Sequence, residues 1–351
     1  MTSGLPVLFA LGLIMALVLT LPFSVRWVEE ELEGFLLTMG ALAVTVSGLW
    51  SGGLAVEALE EPLKITAAVL LFGLAFRRWR GAVAGAVARL TSALGLPAFL
   101  FVLVVGLGLA SSVLTAIVAA LVLVEAVSAL RLPRAAEISV VVLACYSIGL
   151  GAVLTPVGEP LATIAIARLA GEPHQAGFFF LADLLWPWLA PGLLLLGGLA
   201  ARSGRGLETD SPSGLTQDAP EDIRSVVLRA FKVYVFVAAL VLLGHGLTPL
   251  VDRYVVGMPS DLLFWVNISS AALDNATLAA AEISPRMDVE RIRAVLLGLL
   301  VAGGMLIPGN IPNIIAAGKL GIKSREWAAA AVPLGLALMA AYFVALKLAA
   351  G

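Results

Sequence analysis

Two pairs of prolines interrupt two long apolar segments, with glycine and polar residues between the members of each pair. Pro156 and Pro160 lie in the segment LTPVGEPLATIA. Pro308 and Pro312 lie in LIPGNIPNIIAA, each 152 residues later. Because proline removes a backbone N–H group and clashes with the preceding turn, two prolines four residues apart predict a break in a helix. The residues predicted to form the two breaks are Pro156, Gly158, Pro160, Pro308, Gly309 and Pro312.

The chemistry suited to such breaks is the binding of an ion. Irregular backbone inside a bilayer is tolerated only where it is buried in protein or lines a wet cavity. Interrupted apolar segments at corresponding places in two halves of a chain point to the binding site of a transporter. The freed carbonyl groups, with hydroxyl and amide side chains nearby, suit Na⁺, which prefers oxygen ligands.

Carboxylates at membrane depth are the next signal. Each costs about 2.5–3.5 kcal/mol on insertion, which makes it a candidate functional residue. Glu159 lies inside the first break, and Asp274 lies at the centre of a further apolar stretch. We expect both to bind a metal cation, Na⁺, in competition with a proton. The predicted ion-binding or substrate-binding residues are Asp274, Asn275, Thr277, Glu159, Thr155, Ser111, Ser112, Asn310 and Asn313.

A structural role is the alternative interpretation of these polar residues. A carboxylate can cap the N-terminus of a half-helix, which attracts anions. A lone Ser or Thr in a membrane helix often bonds its own backbone. Glu125 and Glu282 have a weaker case as binding residues, because both can snorkel or pair with nearby arginines.

The composition places these residues in a membrane. Hydrophobic residues make up 60% of the 351 positions and charged residues 13%, and the mean hydropathy is +1.02. This balance predicts an all-α polytopic protein whose partner is the lipid bilayer, with a multi-pass location in the inner (cell) membrane. A net charge of −2 without Lys/Arg runs argues against nucleic acid. The single cysteine, Cys145, excludes an internal disulfide, and we expect no cofactor beyond transported or coupling Na⁺ and H⁺.

The apolar runs define the elements that must position the site. Spans are predicted at residues 5–22, 34–50, 63–76, 138–170 (broken), 179–201, 229–247, 293–318 (broken) and 327–348. Residues 96–130 and 262–283 fit a single span poorly, and each is interpreted as a re-entrant hairpin of two half-length helices. Arg89 precedes the first hairpin and Arg131 follows it, so both of its flanks are placed on the cytoplasmic side.

A polar stretch divides the chain into two halves. Residues 202–228 are predicted to form a cytoplasmic linker, because the stretch is rich in Gly, Ser, Pro and Asp. Residues 1–201 form an N-terminal repeat whose hairpin opens inward. Residues 229–351 form a C-terminal repeat whose hairpin opens outward. The two repeats are therefore predicted to be inverted relative to each other.

Three stretches resemble the ion-transporter superfamily, which includes sodium/proton antiporters, arsenite permeases and divalent-anion/sodium symporters. They are GLGAVLTPVGEP (149–160), LDNATLAAAEISP (273–285) and GGMLIPGNIPN (303–313). The chain is most similar to a small group of that superfamily labelled predicted cation transporters. The resemblance implies two inverted repeats, each with a re-entrant hairpin and a broken helix. The sequence departs from it in having Ser111 and Ser112 where relatives often carry an acid or Asn, and in lacking the Ser-Asn-Thr tips of the dicarboxylate symporters.

Two transport functions and one enzymatic function compete. The first is a secondary transporter that exchanges Na⁺ or a similar small inorganic cation for H⁺ by alternating access. The second is a sodium- or proton-coupled importer of a small anion on the same scaffold. An intramembrane enzyme is the third, and we expect none because no catalytic set is visible at membrane depth. A homodimer is left open.

Overall fold

The computed structural model describes residues 4–25, 27–28, 31–207, 223–254, 258–273 and 275–350. Helices account for 84% of the structure, and no strand occurs among the described residues. The predicted all-α class is therefore confirmed. Residues 208–222, which make up much of the predicted linker, lie outside the described ranges.

The helices follow the apolar runs of the sequence. In chain order they are α1 (Leu5–Ser24), α2 (Leu32–Ser47), α3 (Gly52–Leu94), α4 (Leu96–Leu114), α5 (Ala116–Leu130), α6 (Arg134–Ala152), α7 (Pro160–Leu169), α8 (Phe180–Ser203), α9 (Ile223–Tyr254), α10 (Ser260–Val266), α11 (Asn275–Glu282), α12 (Val289–Gly303), α13 (Ile311–Leu320) and α14 (Ser324–Ala350). Short 3₁₀ helices cover Asn267–Ala271 and Ile307–Gly309.

Local capping chemistry sets several of these boundaries. Gly48 ends α2 in the left-handed conformation, with φ 69°, which glycine adopts without strain. The hydroxyl of Ser51 accepts a hydrogen bond from the backbone N–H of Leu54 (3.1 Å) and so caps α3. Asp288 caps α12 in the same way, through the N–H of Arg291 at 2.7 Å.

Six helices of the described residues, α1, α4, α6, α8, α9 and α14, are long and apolar enough to cross a membrane. Large apolar side chains remain exposed on several of them, including Phe9 of α1 and Leu194 of α8. An aqueous surface would penalise such exposure, whereas lipid does not. These helices indicate a membrane protein.

The first predicted hairpin differs from expectation in the length of its first limb. Helix α4 has 19 residues and passes without interruption through Gly106, Gly108, Ser111 and Ser112. The chain turns at Thr115, whose φ is 75°. Since α4 is about 28 Å long at 1.5 Å per residue, it is not a half-length helix, and its length alone would allow it to cross a bilayer. The remaining limb, α5, has 15 residues.

Helix α6 is the centre of the described fold. Nearly all of its residues are buried, among them Tyr146, Ile148 and Leu150. It packs against α4 and α8 of its own half and against α12, α13 and α14 of the other half. Helix α6 therefore contacts helices on both sides of the linker, and the break at its end lies inside the protein.

Candidate functional site

The first break separates α6 from α7 and lies between Ala152 and Pro160. Gly158 folds back onto the end of α6 so closely that a Cβ atom at this position would overlap the carbonyl group of Ala152. Glycine is required here because of this approach, not because of its backbone angles. Glu159 follows in extended conformation (φ −156°, ψ 159°) and is the N-cap residue of α7.

The second break repeats this geometry between α12 and α13. A Cβ atom on Gly309 would lie 2.5 Å from the carbonyl oxygen of Gly303, the last residue of α12. Asn310 follows in extended conformation (φ −155°, ψ 146°) as the N-cap of α13. Each glycine thus contacts the carbonyl six residues earlier and precedes an extended N-cap residue. The equivalent positions are 151 residues apart, one fewer than the proline spacing, so Asn310 takes the place that Glu159 has in the first break.

The first break is tied to the turn between α4 and α5. The hydroxyl of Thr155 donates to the carbonyl oxygen of Ser112. The backbone N–H of Ala116 donates to the carbonyl oxygen of Gly158 at 2.9 Å. These two bonds hold the turn at Thr115 against the break.

The two predicted serine ligands lie near this turn, and their hydroxyl protons bond backbone carbonyls. Ser111 is buried and lies within hydrogen-bond distance of the carbonyl oxygens of Gly108 (2.6 Å) and Ile148 (3.0 Å). Ser112 donates to the carbonyl oxygen of Leu109 at 2.7 Å. Each hydroxyl oxygen can still accept a hydrogen bond or bind a cation. The hydroxyl protons, however, are already bonded to backbone carbonyls, as the structural interpretation of these serines expects.

Asn313 has a side-chain amide whose orientation is fixed by its partners. Its Nδ2 atom donates to the carbonyl oxygens of Gly303 and Leu306, both at 2.9 Å. Carbonyl groups only accept, so the nitrogen must face them and the oxygen must point away. That oxygen is buried without a hydrogen-bond partner among the described residues, and the residue is 0% exposed. It is an oxygen available to a cation.

Asn275 presents a second unsatisfied amide. It is the first residue of α11, and its side chain lies against Gly303 at the start of the second break. The residue is 5% exposed, and neither its Oδ1 nor its Nδ2 atom has a hydrogen-bond partner among the described residues. Of the neighbouring predicted ligands, Asp274 and the side chain of Thr277 lie outside what the structure describes.

The second break packs against α6, the helix that ends at the first break. The Nδ2 atom of Asn310 lies 2.8 Å from the position that a Cβ atom on Gly149 would occupy. The thiol of Cys145, one turn earlier on α6, donates to the carbonyl oxygen of Pro312 at 3.6 Å. The structure therefore places Asn310 and Pro312 of the second break against the buried helix that leads into the first break.

Glu159 is buried at the entrance to α7. A carboxylate that caps a helix accepts a hydrogen bond from the first turn, and Glu159 makes no such bond within the described residues. Glu159 therefore does not cap α7 through a side-chain hydrogen bond. It remains a carboxylate in the first break, near the positive end of the α7 dipole.

Two further buried polar residues were missed as site candidates. Asn267 and Glu137 are both buried, the former at the start of the 3₁₀ helix before Asp274 and the latter in the first turn of α6. The signal for Asn267 was present, because it is an amide inside the apolar run LLFWVNISSAAL. Glu137 lies immediately before the predicted span of residues 138–170 and carried no such signal.

One of the acidic residues considered above, Glu125, forms a buried ion pair. Glu125 of α5 and Lys319 of α13 form a salt bridge, with side chains 11% and 10% exposed. The pairing removes Glu125 from the candidate cation ligands, since its charge is already balanced.

Among the described residues, no group of three or more His, Cys, Asp or Glu side chains could hold a metal ion. A cation here would have to use amide, carbonyl and single carboxylate oxygens.

Comparison with known proteins places nearly the whole chain in one family. A family model described as "Protein of unknown function (DUF1646)" matches residues 8–349. No curated protein matches the chain.

Proposed function

We propose that the chain, which belongs to the DUF1646 family, is a secondary active transporter that exchanges Na⁺ or a similar cation for H⁺. The proposal rests on the geometry of its two breaks. Glu159 and Asp274 carry the exchanged charge, and Asn275, Asn310 and Asn313 supply neutral oxygen atoms.

The observation that carries the proposal is the packing of the second break against α6, the helix that ends at the first break. Asn310 of the second break packs against Gly149, just ahead of the first. The buried amide oxygens of Asn275 and Asn313 have no hydrogen-bond partner among the described residues. Burying an unpaired polar atom is unfavourable, and a bound cation would satisfy such atoms. Oxygen atoms of neutral groups, with one or two carboxylates, suit Na⁺ better than a transition metal.

The packing of the two halves supports the proposed repeat. In the first half α5 packs against α13, and in the second half α11 packs against α7. Within the halves, α4 contacts α6 and α8, as α10 contacts α12 and α14. These contacts are the ones expected of two copies of one unit. In such an arrangement the second helix of each hairpin, α5 or α11, packs against the other copy. An inverted relation between the copies follows from the charged flanks of residues 96–130.

A cavity offers a route to the second break from one side. It has a volume of about 250 Å³ and is lined by Ile307 in the break, by Glu33 and Lys232 of α2 and α9, and by Lys323 beyond α13. The nitrogen of Lys232 lies 3.6 Å from a carboxylate oxygen of Glu33. In the topology set by the arginine flanks this side is cytoplasmic. Access from one side at a time is what a transporter of this kind requires.

A sodium- or proton-coupled importer of a small anion is the second candidate. The observation that favours it is that α7 and α13 both begin at the breaks, so the positive ends of two helix dipoles lie there. In this version Na⁺ occupies the breaks and the anion binds the half-helix N-termini. The membrane would be the inner membrane in either version, and a homodimer is compatible with both.

Proteoliposomes with an internal pH dye test the proposal. Addition of Na⁺, Li⁺ or K⁺ to vesicles containing the purified protein should produce proton efflux or uptake with one of these cations. Candidate anions are then added with and without Na⁺. A pH change that depends on the cation alone supports exchange, whereas uptake of an anion that needs Na⁺ supports import. Vesicles that respond to none of these additions would contradict both versions.

A further inference from the structure

Glu282 is a buried carboxylate that the proposed cation site does not use. It is the last residue of α11 and is 3% exposed. Neither carboxylate oxygen has a hydrogen-bond partner among the described residues. Asn267 lies beside it, but the Nδ2 atom of Asn267 donates to the carbonyl oxygen of Val295 at 3.3 Å. The Oδ1 atom of Asn267 is likewise buried without a partner in the described part of the chain.

No described cation balances this carboxylate. The titratable and charged side chains described on α7, α9, α10 and α12 and on the loop after α11 are Glu159, Arg168, Arg224, Lys232, Tyr234, His245, Arg253, Tyr254, Asp261, Arg286, Asp288, Glu290, Arg291 and Arg293. None of these forms a salt bridge or hydrogen bond with Glu282 in the described structure. The expected pairing of Glu282 with a nearby arginine is therefore not seen.

A buried charge without a partner is far less stable than the neutral form of the same group. A proton on Glu282 removes the charge. The neutral carboxylic acid can remain buried among the apolar residues of α11 and α12 without a cation.

The position of Glu282 links the second break to a surface. Asn275 and Glu282 are seven residues apart, so they lie on one face of α11, roughly 10 Å from each other. Asn275 contacts Gly303 at the break. Beyond Ile283 the chain reaches an exposed loop that includes Arg286 and Asp288. Glu282 therefore lies between the predicted cation site and the protein surface.

We propose that Glu282 is a proton-binding residue of the transport cycle. It holds a proton while α11 is packed as described, and it releases that proton to water when the α10–α11 hairpin moves and exposes this end of the site. The only bond that forms or breaks is the O–H bond of the carboxyl group. The proposal rests on the proposed exchange function, and it adds a protonation site separate from Glu159 and Asp274.

Infrared spectroscopy of the purified protein tests the protonation directly. The carbonyl band of a protonated carboxylic acid is recorded as the pH is raised, for the wild type, Glu282→Gln and Asp261→Asn. Asp261 is a matched control because it is a carboxylate on α10, just before the predicted hairpin, but is exposed and paired with Lys347. We expect the band to disappear as the pH is raised in both the wild type and Asp261→Asn. In Glu282→Gln the band should be absent throughout. A full wild-type band in Glu282→Gln would overturn the proposal.

Transport measurements separate this inference from the proposed function. In proteoliposomes, Glu282→Gln should retain exchange of labelled Na⁺ for unlabelled Na⁺ and lose proton-coupled Na⁺ movement. Wild-type coupling in Glu282→Gln would refute the role of Glu282 while leaving the antiporter intact. Wild-type vesicles that move neither Na⁺ nor H⁺ would refute the exchange function itself, and with it the role of Glu282 in a transport cycle.

Discussion

The amide of Asn310 lies against Gly149, so that a Cβ atom at position 149 would stand 2.8 Å from Asn310 Nδ2. The contact joins the second break to α6, seven residues before Pro156. Only the end of one side chain stands in the way of a methyl group, and a side chain can rotate. Position 149 therefore offers a way to disturb the proposed site without disturbing the fold.

We predict that Gly149→Ala folds normally and weakens cation binding. Alanine favours a helix over glycine by about 1 kcal/mol, whereas displacement of Asn310 removes one cation ligand, a loss of roughly tenfold in affinity. The apparent Na⁺ affinity of transport is the measurement. Gly106→Ala is the control, since a Cβ atom there meets nothing within 4 Å. Equal affinities in the two variants would mean that Asn310 is not a ligand.

We predict that Asp274→Asn abolishes transport while leaving membrane insertion and folding intact. Asparagine keeps the shape of aspartate but cannot neutralise a cation. Transport by the purified variant is compared with that of Asp261→Asn, which removes an exposed carboxylate near the start of the same hairpin. Wild-type transport by Asp274→Asn would give Asp274 a structural role and displace the proposed site.

The topology of residues 96–130 can be tested with single cysteines in a Cys145→Ala background. Cysteines at Gly81 and Ala135, which are both exposed, should react with an impermeant reagent from the cytoplasm. Cysteines at Glu57 and Pro173 should react from outside. This test has particular value because α4 is long enough to cross a bilayer. If positions 81 and 135 react from opposite faces, residues 96–130 cross the membrane and the inverted-repeat proposal fails.

The buried pair Glu125–Lys319 should stabilise the contact between α5 and α13. Lys319→Met leaves the Glu125 carboxylate buried without its cation, and such losses typically cost about 3–5 kcal/mol. The double variant Glu125→Gln/Lys319→Met leaves no unpaired charge and should recover most of that loss. Thermal unfolding in detergent measures both. A Lys319→Met variant as stable as the wild type would show that the pair contributes little.

Apparent Na⁺ affinity should fall as the pH falls. Protons and Na⁺ compete for the carboxylate oxygens of Glu159 and Asp274, so acid favours the protonated form that binds no cation. Below the effective pKa of the site, competition at one group weakens the affinity by about tenfold per pH unit. Glu159→Gln should flatten or shift the dependence, because one titrating group is gone. Affinity that is constant with pH, without proton movement, would favour anion import.

Composition and proline spacing determined the class and the two breaks. An apolar fraction of 60% is well above that of soluble domains, and the helices end and restart around the proline pairs, as at Pro160 and Pro312. These are local effects: a residue's hydrophobicity and its missing N–H act wherever the residue lies. For the same reason the positions of Glu159 and Asn310 in the breaks could be read from sequence.

Tertiary structure alone decided which polar groups are paired. Glu125 pairs with Lys319, which is 194 positions away in the sequence. Asn310 contacts Gly149, which lies on α6. The structural equivalence of the breaks at 151 residues, and the uninterrupted 19-residue length of α4 ahead of the turn at Thr115, also required coordinates. Pairing of a polar group depends on the distance and direction of its neighbours in space, which hydrophobic periodicity does not encode. Glu282 illustrates this, because only the packed structure shows it buried beside Asn267 with no cation from the described side chains to balance it.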